Sequence, residues 1–174
     1  ETLDEHVGGT ANVQLLIRGK KGTGLGTGMR DLELLKALEK IEADITGYEH
    51  PEMGQIMGSS ISILNVVKES NQALTSGQPK DYRLPDSDRG VADMLFMFEN
   101  AGPEEMAQLA TTDLSVSQMT IQIKWLEASE FRAMTPYIDR SIETHTPEGA
   151  SIRPTGAVYT LVSTIANLIW DLLS

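Results

Sequence analysis

Cysteine is absent from the 174 residues, which removes disulfide scaffolds, thiolate zinc sites, iron–sulfur clusters and thiol nucleophiles together. Aromatic residues make up 5% of the chain, too few for the stacking platforms that single-stranded nucleic acid requires. Positive charge is also scarce. Fourteen Lys and Arg face 25 Asp and Glu, so the net charge is -11, the mean field repels phosphates, and nucleic acid is a poor partner. No apolar run approaches the roughly 20 residues of a membrane span, and the first residues lack the n-region and h-region of a secretory signal. What is present is a 40% hydrophobic content, ordinary for one globular domain of this length.

The apolar residues are patterned. Ala11, Val13, Leu15 and Ile17 alternate with Asn12, Gln14 and Arg18, which predicts a central strand with one buried face. Met119, Ile121, Ile123 and Trp125 alternate in the same way and predict a second strand, turned by Asp113-Leu114-Ser115 from a partner near Ala107 to Thr111. Leu34, Leu35, Leu38, Ile41 and Ile45 recur at helical spacing between Asp31 and Gly47. Further helical stripes run from Ser59 and Ser60 through Ile63, Leu64, Val67 and Leu74, and through Val91, Met94, Leu95 and Phe98, each ended by a Gly/Pro signal. A short edge strand is expected at Gly54 to Met57. Phe131 to Ile142 form another helix, which Pro136 either kinks or starts with Thr135 as N-cap. Ala150 to Val158 reads as a strand whose Pro154 places it on an edge. Leu161, Ile165, Leu168, Ile169 and Leu172 predict an amphipathic helix whose pattern is still running at Ser174.

In order, these elements predict an α+β fold of the ferredoxin-like, split βαβ kind: an antiparallel sheet with helices on one face, an inserted helical lobe and a C-terminal helix. The α+β domain spans 1–158 with its helical insertion at about 59–100, and 159–174 forms the terminal helix. The chain opens at Glu1 and stops inside an apolar pattern, so both ends are expected to continue in a longer protein.

No catalytic constellation is legible. Gly22, Gly24, Gly26 and Gly28 lie between a strand and a helix, where a phosphate cradle belongs, but neither GxGxxG nor GxxxxGK[ST] fits them. Gly19 to Gly28 therefore reads as a mobile surface loop. His6, His50 and His145 show no metal-ligand spacing. Glu104 with Glu105, and Asp86 with Asp88, could do acid/base work if a cleft gathered them, but their placement favours helix-dipole partners. No serine lies in GxSxG or SxxK. Met94, Met97, Met106, Met119 and Met134 read as core filling, with an adaptable surface for greasy ligands as the functional alternative. No catalytic, cofactor-binding or metal-binding residue is assigned.

Several segments do resemble a family. Leu3-Asp4-Glu5 with Gly8-Gly9, the strand Asn12 to Ile17, the helix Ser60 to Leu74, Tyr82-Arg83-Leu84-Pro85-Asp86-Ser87 and Arg153-Pro154-Thr155-Gly156 together resemble the large extracytoplasmic loop of resistance–nodulation–division superfamily exporters. The likeness is to their hydrophobe/amphiphile efflux branch, related to large membrane lipid transporters, and it spans nearly the whole chain. The resemblance implies a ferredoxin-like porter domain outside the cytoplasmic membrane. Such a domain is non-catalytic and without cofactor, and it couples proton-driven movement of membrane helices to a hydrophobic or amphiphilic substrate. Implied partners are the transmembrane helices and the second porter loop of the same parent chain, with a homo-oligomer of the intact protein possible. No substrate-binding residue is carried over. A free-standing ferredoxin-like module that binds a small ligand or regulates another protein is the competing class.

Overall fold

The structure, a computed structural model, describes residues 9–156 together with 159, 160, 164, 168 and 171–173. The elements run β1 (Thr10–Arg18), α1 (Leu32–Thr46), β2 (Glu49–His50), β3 (Gly54–Gln55), β4 (Met57–Ile61), α2 (Ile63–Leu74), α3 (Asp88–Ala101), α4 (Pro103–Leu109), β5 (Val116–Lys124), α5 (Ala128–His145) and β6 (Ser151–Thr155). Four strands form one antiparallel sheet in the order β4-β5-β1-β6, and β2 pairs with β3 in a small separate hairpin. β1 and β4 are parallel and joined through α1, with β5 lying between them, which is the split βαβ connectivity of a ferredoxin-like α+β fold. The expected fold class holds, with extra helices.

Period-two alternation decides which face is buried. Val13, Leu15 and Ile17 of β1 pair with Ile121, Met119 and Ser117 of β5, and all six are buried. α1 and α5 cover this face with Leu34, Leu35, Leu38, Ile41, Phe131, Met134 and Ile138. The core continues without a break into Leu84, Val91, Leu95 and Met106, so the inserted helices share it and do not form a separate lobe. β6 is an edge strand, and its Pro154 stands opposite Leu15, as its missing donor requires. β4 is the other edge, where the register slips between Met57 and Ser60.

Three expectations are corrected and one open choice is settled. Ser59 and Ser60 belong to β4, and α2 is started by Ser62, whose hydroxyl accepts from Leu64 N–H while Asn65 reaches back to Ser62 N–H. Residues 107–111 are not a strand: Pro103 starts α4, which runs to Leu109, and only Ala110 bridges to Ser117. The helical insertion therefore runs on through α4 to Leu109, not only over 59–100. Of the two arrangements open at Pro136, a start there is excluded: it lies inside an 18-residue helix. The carbonyl that Pro136 leaves without its usual donor, that of Arg132, accepts the Thr135 hydroxyl at 2.9 Å.

The glycine-rich loop is exposed over residues 21–25, as a surface loop should be, but its ends are tied down. It is clasped to the body: Gly19 N–H donates to Ser115 C=O (3.0 Å), Gly28 N–H to Lys20 C=O (2.9 Å) and Met29 N–H to Leu114 C=O (2.8 Å). Met29 is fully buried in a single 3-10 turn. Gly28 has φ +54°, and a Cβ there would collide with the Leu114 carbonyl oxygen, while one at Gly19 would collide with the Gly28 backbone. These glycines serve close backbone approach, which is a property of the tertiary structure that spacing does not reveal.

The C-terminal segment is helical at each described residue. Tyr159 donates to Asp139 Oδ1 (2.6 Å) and meets Phe131 edge-on, and burial with that carboxylate pushes its phenol well above the usual range. Leu168, Leu172 and Leu173 are exposed, whereas the expected stripe positions Leu161, Ile165 and Ile169 lie outside the described residues.

The clasp makes a sharp contrast between two glycines. Gly28→Ala is expected to lower stability by about 2 kcal/mol or more, because the left-handed backbone and the collision act together. Gly24→Ala, whose Cβ would meet nothing, should leave the urea midpoint unchanged.

Candidate functional site

The candidates raised from sequence are scattered. His50 is buried, its Nδ1 accepting from the Glu52 and Met53 N–H groups (both 3.2 Å), and its Nε2 lies 3.8 Å from Glu130. His6 lies outside the described residues. Glu104 and Glu105 occupy the first turn of α4, as helix-dipole partners should. Asp86 pairs with Arg83, whereas Asp88 accepts Leu32 N–H at 2.8 Å and so caps α1 from the start of α3. Met106, Met119 and Met134 are buried in the core, Met94 packs against it, and Met97 is exposed. Among the described residues, no group of three or more His, Asp or Glu is placed to hold a metal ion.

One cluster does join Ser, His and Asp. Asp44 Oδ2 accepts the Ser141 hydroxyl (2.7 Å) and lies 3.1 Å from His145 Nε2, while the Asp44 carbonyl accepts the Tyr137 hydroxyl (2.9 Å). A nucleophilic triad needs the order Ser–His–Asp, with the imidazole next to the hydroxyl. Here the carboxylate sits between the two. The cluster staples the end of α1 to three successive turns of α5, since Tyr137, Ser141 and His145 are four residues apart.

The remaining surface of interest is the sheet face that α1 and α5 leave uncovered. β1 presents Asn12, Gln14, Leu16 and Arg18, and β5 presents Val116, Gln118, Thr120, Gln122 and Lys124. β6 adds Ser151 and Arg153, opposite Arg18 and Leu16. No strand residue on this face is acidic, although the chain carries 25 Asp and Glu. Two depressions border it. One, of about 420 Å³, lies where the end of α4 leans on the sheet, between residues 107–112 and Leu16, Val116 and Gln118. The other, of about 370 Å³, lies at the strand ends and is lined by Arg18, Gly19, Lys21, Ser115, Val116, Gly149, Ala150 and Ser151. Sequence reasoning missed both, because each joins segments about 90 to 130 residues apart; the one trace in β1 was Leu16, an apolar residue in line with Asn12, Gln14 and Arg18.

A tight turn holds the β5 side of both depressions. Asp113 Oδ1 accepts the Ser115 hydroxyl (2.7 Å), the Thr111 hydroxyl (2.7 Å) and the Ser115 N–H (3.1 Å). These donors, the Ser115 hydroxyl foremost, hold the Asp113 carboxyl down at about 2. The folded value lies below the ordinary 3.8, so this contribution to stability is complete above 3.8 and is lost as pH falls through about 2.

Two outcomes follow from these contacts. The Asp113 carboxyl carbon should titrate near 2 by NMR, and Ser115→Ala should move that midpoint upward. Asp44→Ala should cost about 1 kcal/mol in denaturant unfolding by releasing the Ser141 hydroxyl.

No known protein family matches this chain, and no curated protein and no solved structure matches it.

Proposed function

We propose that the chain is a porter-type domain of a proton-driven membrane exporter of the resistance–nodulation–division kind, standing outside the cytoplasmic membrane and handling hydrophobic or amphiphilic compounds such as lipids or drugs. Its action is conformational and not bond-making: a rigid α+β unit moves against a second such unit as attached membrane helices shift.

The observation that carries the reading is the trough of about 420 Å³ between the end of the helical insertion and the uncovered sheet face. Its apolar lining is Leu16, Val116, Ala107, Leu109 and Ala110, and its polar lining Gln108, Thr111, Thr112, Ser117 and Gln118, with no charged residue. A lining that mixes apolar and uncharged polar residues suits an amphiphile in transit, because burial of the tail offsets desolvation while no fixed charge holds the molecule tightly. The exposed Leu168, Leu172 and Leu173 support the same reading, since three solvent-facing leucines on helical residues suit an apolar neighbour. Among the described residues no helix is long and apolar enough to cross a membrane, so on this reading the membrane helices belong to the parent chain.

The test is made on the full product of the gene, in cells. It should fractionate with membranes, and cells lacking it should retain an amphiphilic dye such as Nile red. Leu16→Glu, which places a charge in the trough lining, should slow dye efflux several-fold at unchanged protein level. A gene product found in the soluble fraction overturns the proposal, as does efflux unaffected by Leu16→Glu.

A further inference from the structure

The depression at the ends of β1, β5 and β6 has a different chemistry from the trough. Two cations, Arg18 and Lys21, line it, and no carboxylate does. Lys20, Lys36, Lys68, Arg83 and Arg89 each pair with an acid, but neither Arg18 nor Lys21 has a charged or hydrogen-bonding partner among the described residues. Nine of the 14 Lys and Arg have no ion pair among the described residues, so what marks these two is that both line one depression that holds no carboxylate. Arg153 adds a third positive charge on the same face, two residues beyond Ser151.

The uncharged part of the lining supplies donors. The Gly149 N–H and the Ser151 hydroxyl have no acceptor among the described residues. Gly149 has φ +84°, a turn that brings its backbone against Lys20, whose ammonium lies 3.5 Å from Asp31. The acids next along the chain stay outside the lining: Asp113 is occupied by its own turn, and Glu148 is not among the lining residues.

We propose that this depression binds a tetrahedral oxyanion, a phosphate or sulfate group carried on a small organic substituent. Arg18 offers its planar fork to two oxygens, Lys21 a point charge, and Gly149 and Ser151 neutral donors. Val116, Ala150 and the Lys21 stem form the less polar wall. The volume of about 370 Å³ exceeds what a bare ion fills and matches a small organic ligand. The mean field of the chain repels anions, so binding here depends on these local charges and weakens steeply with salt. The assignment is independent of the porter reading.

The test is a titration of the 174-residue protein followed by amide NMR, with inorganic phosphate and sn-glycerol 3-phosphate as soluble probes. Vesicles of phosphatidylglycerol or of phosphatidylcholine serve as lipid probes. Saturable shifts at Gly149, Ala150 and Ser115 are expected, larger with the ester than with phosphate. Arg18→Gln with Lys21→Gln should weaken binding by about tenfold or more. Arg18→Lys with Lys21→Arg should retain most of it, and Lys40→Gln with Lys80→Gln, at exposed cations elsewhere, should match the wild type. Response to the soluble ester marks a free phosphate compound as the source, and response to phosphatidylglycerol vesicles alone marks a lipid headgroup; either supports the site. No saturable shift with any probe, or equal binding by the Arg18→Gln/Lys21→Gln variant, overturns it.

Discussion

The structure depends on one constraint, the burial of a single face of the β1–β5 pair. Side chains alternate along a strand, so Val13, Leu15, Ile17, Met119, Ile121 and Ile123 face α1 and α5 only in one register. A slip by one residue would send Asn12, Gln14 and Gln122 into the core and unsatisfied polar groups with them. The same alternation delivers Arg18, Gln118 and Arg153 to the opposite face, so the working surface and the core are two consequences of one pairing.

That surface owes its shape to the helical insertion and to the glycine clasp. α2, α3 and α4 return the chain to β5 through Ala110 and the Asp113 turn, which sets the wall of the trough. Gly19 and Gly28 draw residues 19–29 against the Leu114 and Ser115 carbonyls, and that approach sets Arg18 and Lys21 around one depression. Both features couple local backbone conformation to a site built from remote segments.

Much of the fold was legible because its signals are periodic and local. β1, β5 and α1 are where alternation and helical spacing put them, and Pro154 marked an edge through its missing donor. The errors fall where a tertiary contact outweighs a local one. Where the sequence left Pro136 inside or at the start of α5, the interior is taken, with Thr135 serving the freed carbonyl and Phe131, Met134 and Ile138 holding the helix to the core on both sides. Residues 107–109 continue a helix that Pro103 starts and buried Met106 anchors. Asp88 is the first-turn acid of α3 that it looked like, but its second role, capping a helix 56 residues away, left no mark in the sequence. The depressions were not legible at all, since no spacing along the chain records that Lys21 and Gly149 line the same one.

The two outer strands have a consequence for the molecule at high concentration. β4 offers a broken ladder because its register slips, and β6 carries a proline in its five residues. Neither rim is a good template for an incoming strand, so growth by cross-β stacking is disfavoured at both ends of the sheet. The domain can thus keep a broad, unshielded flank in water without recruiting its own copies into fibrils.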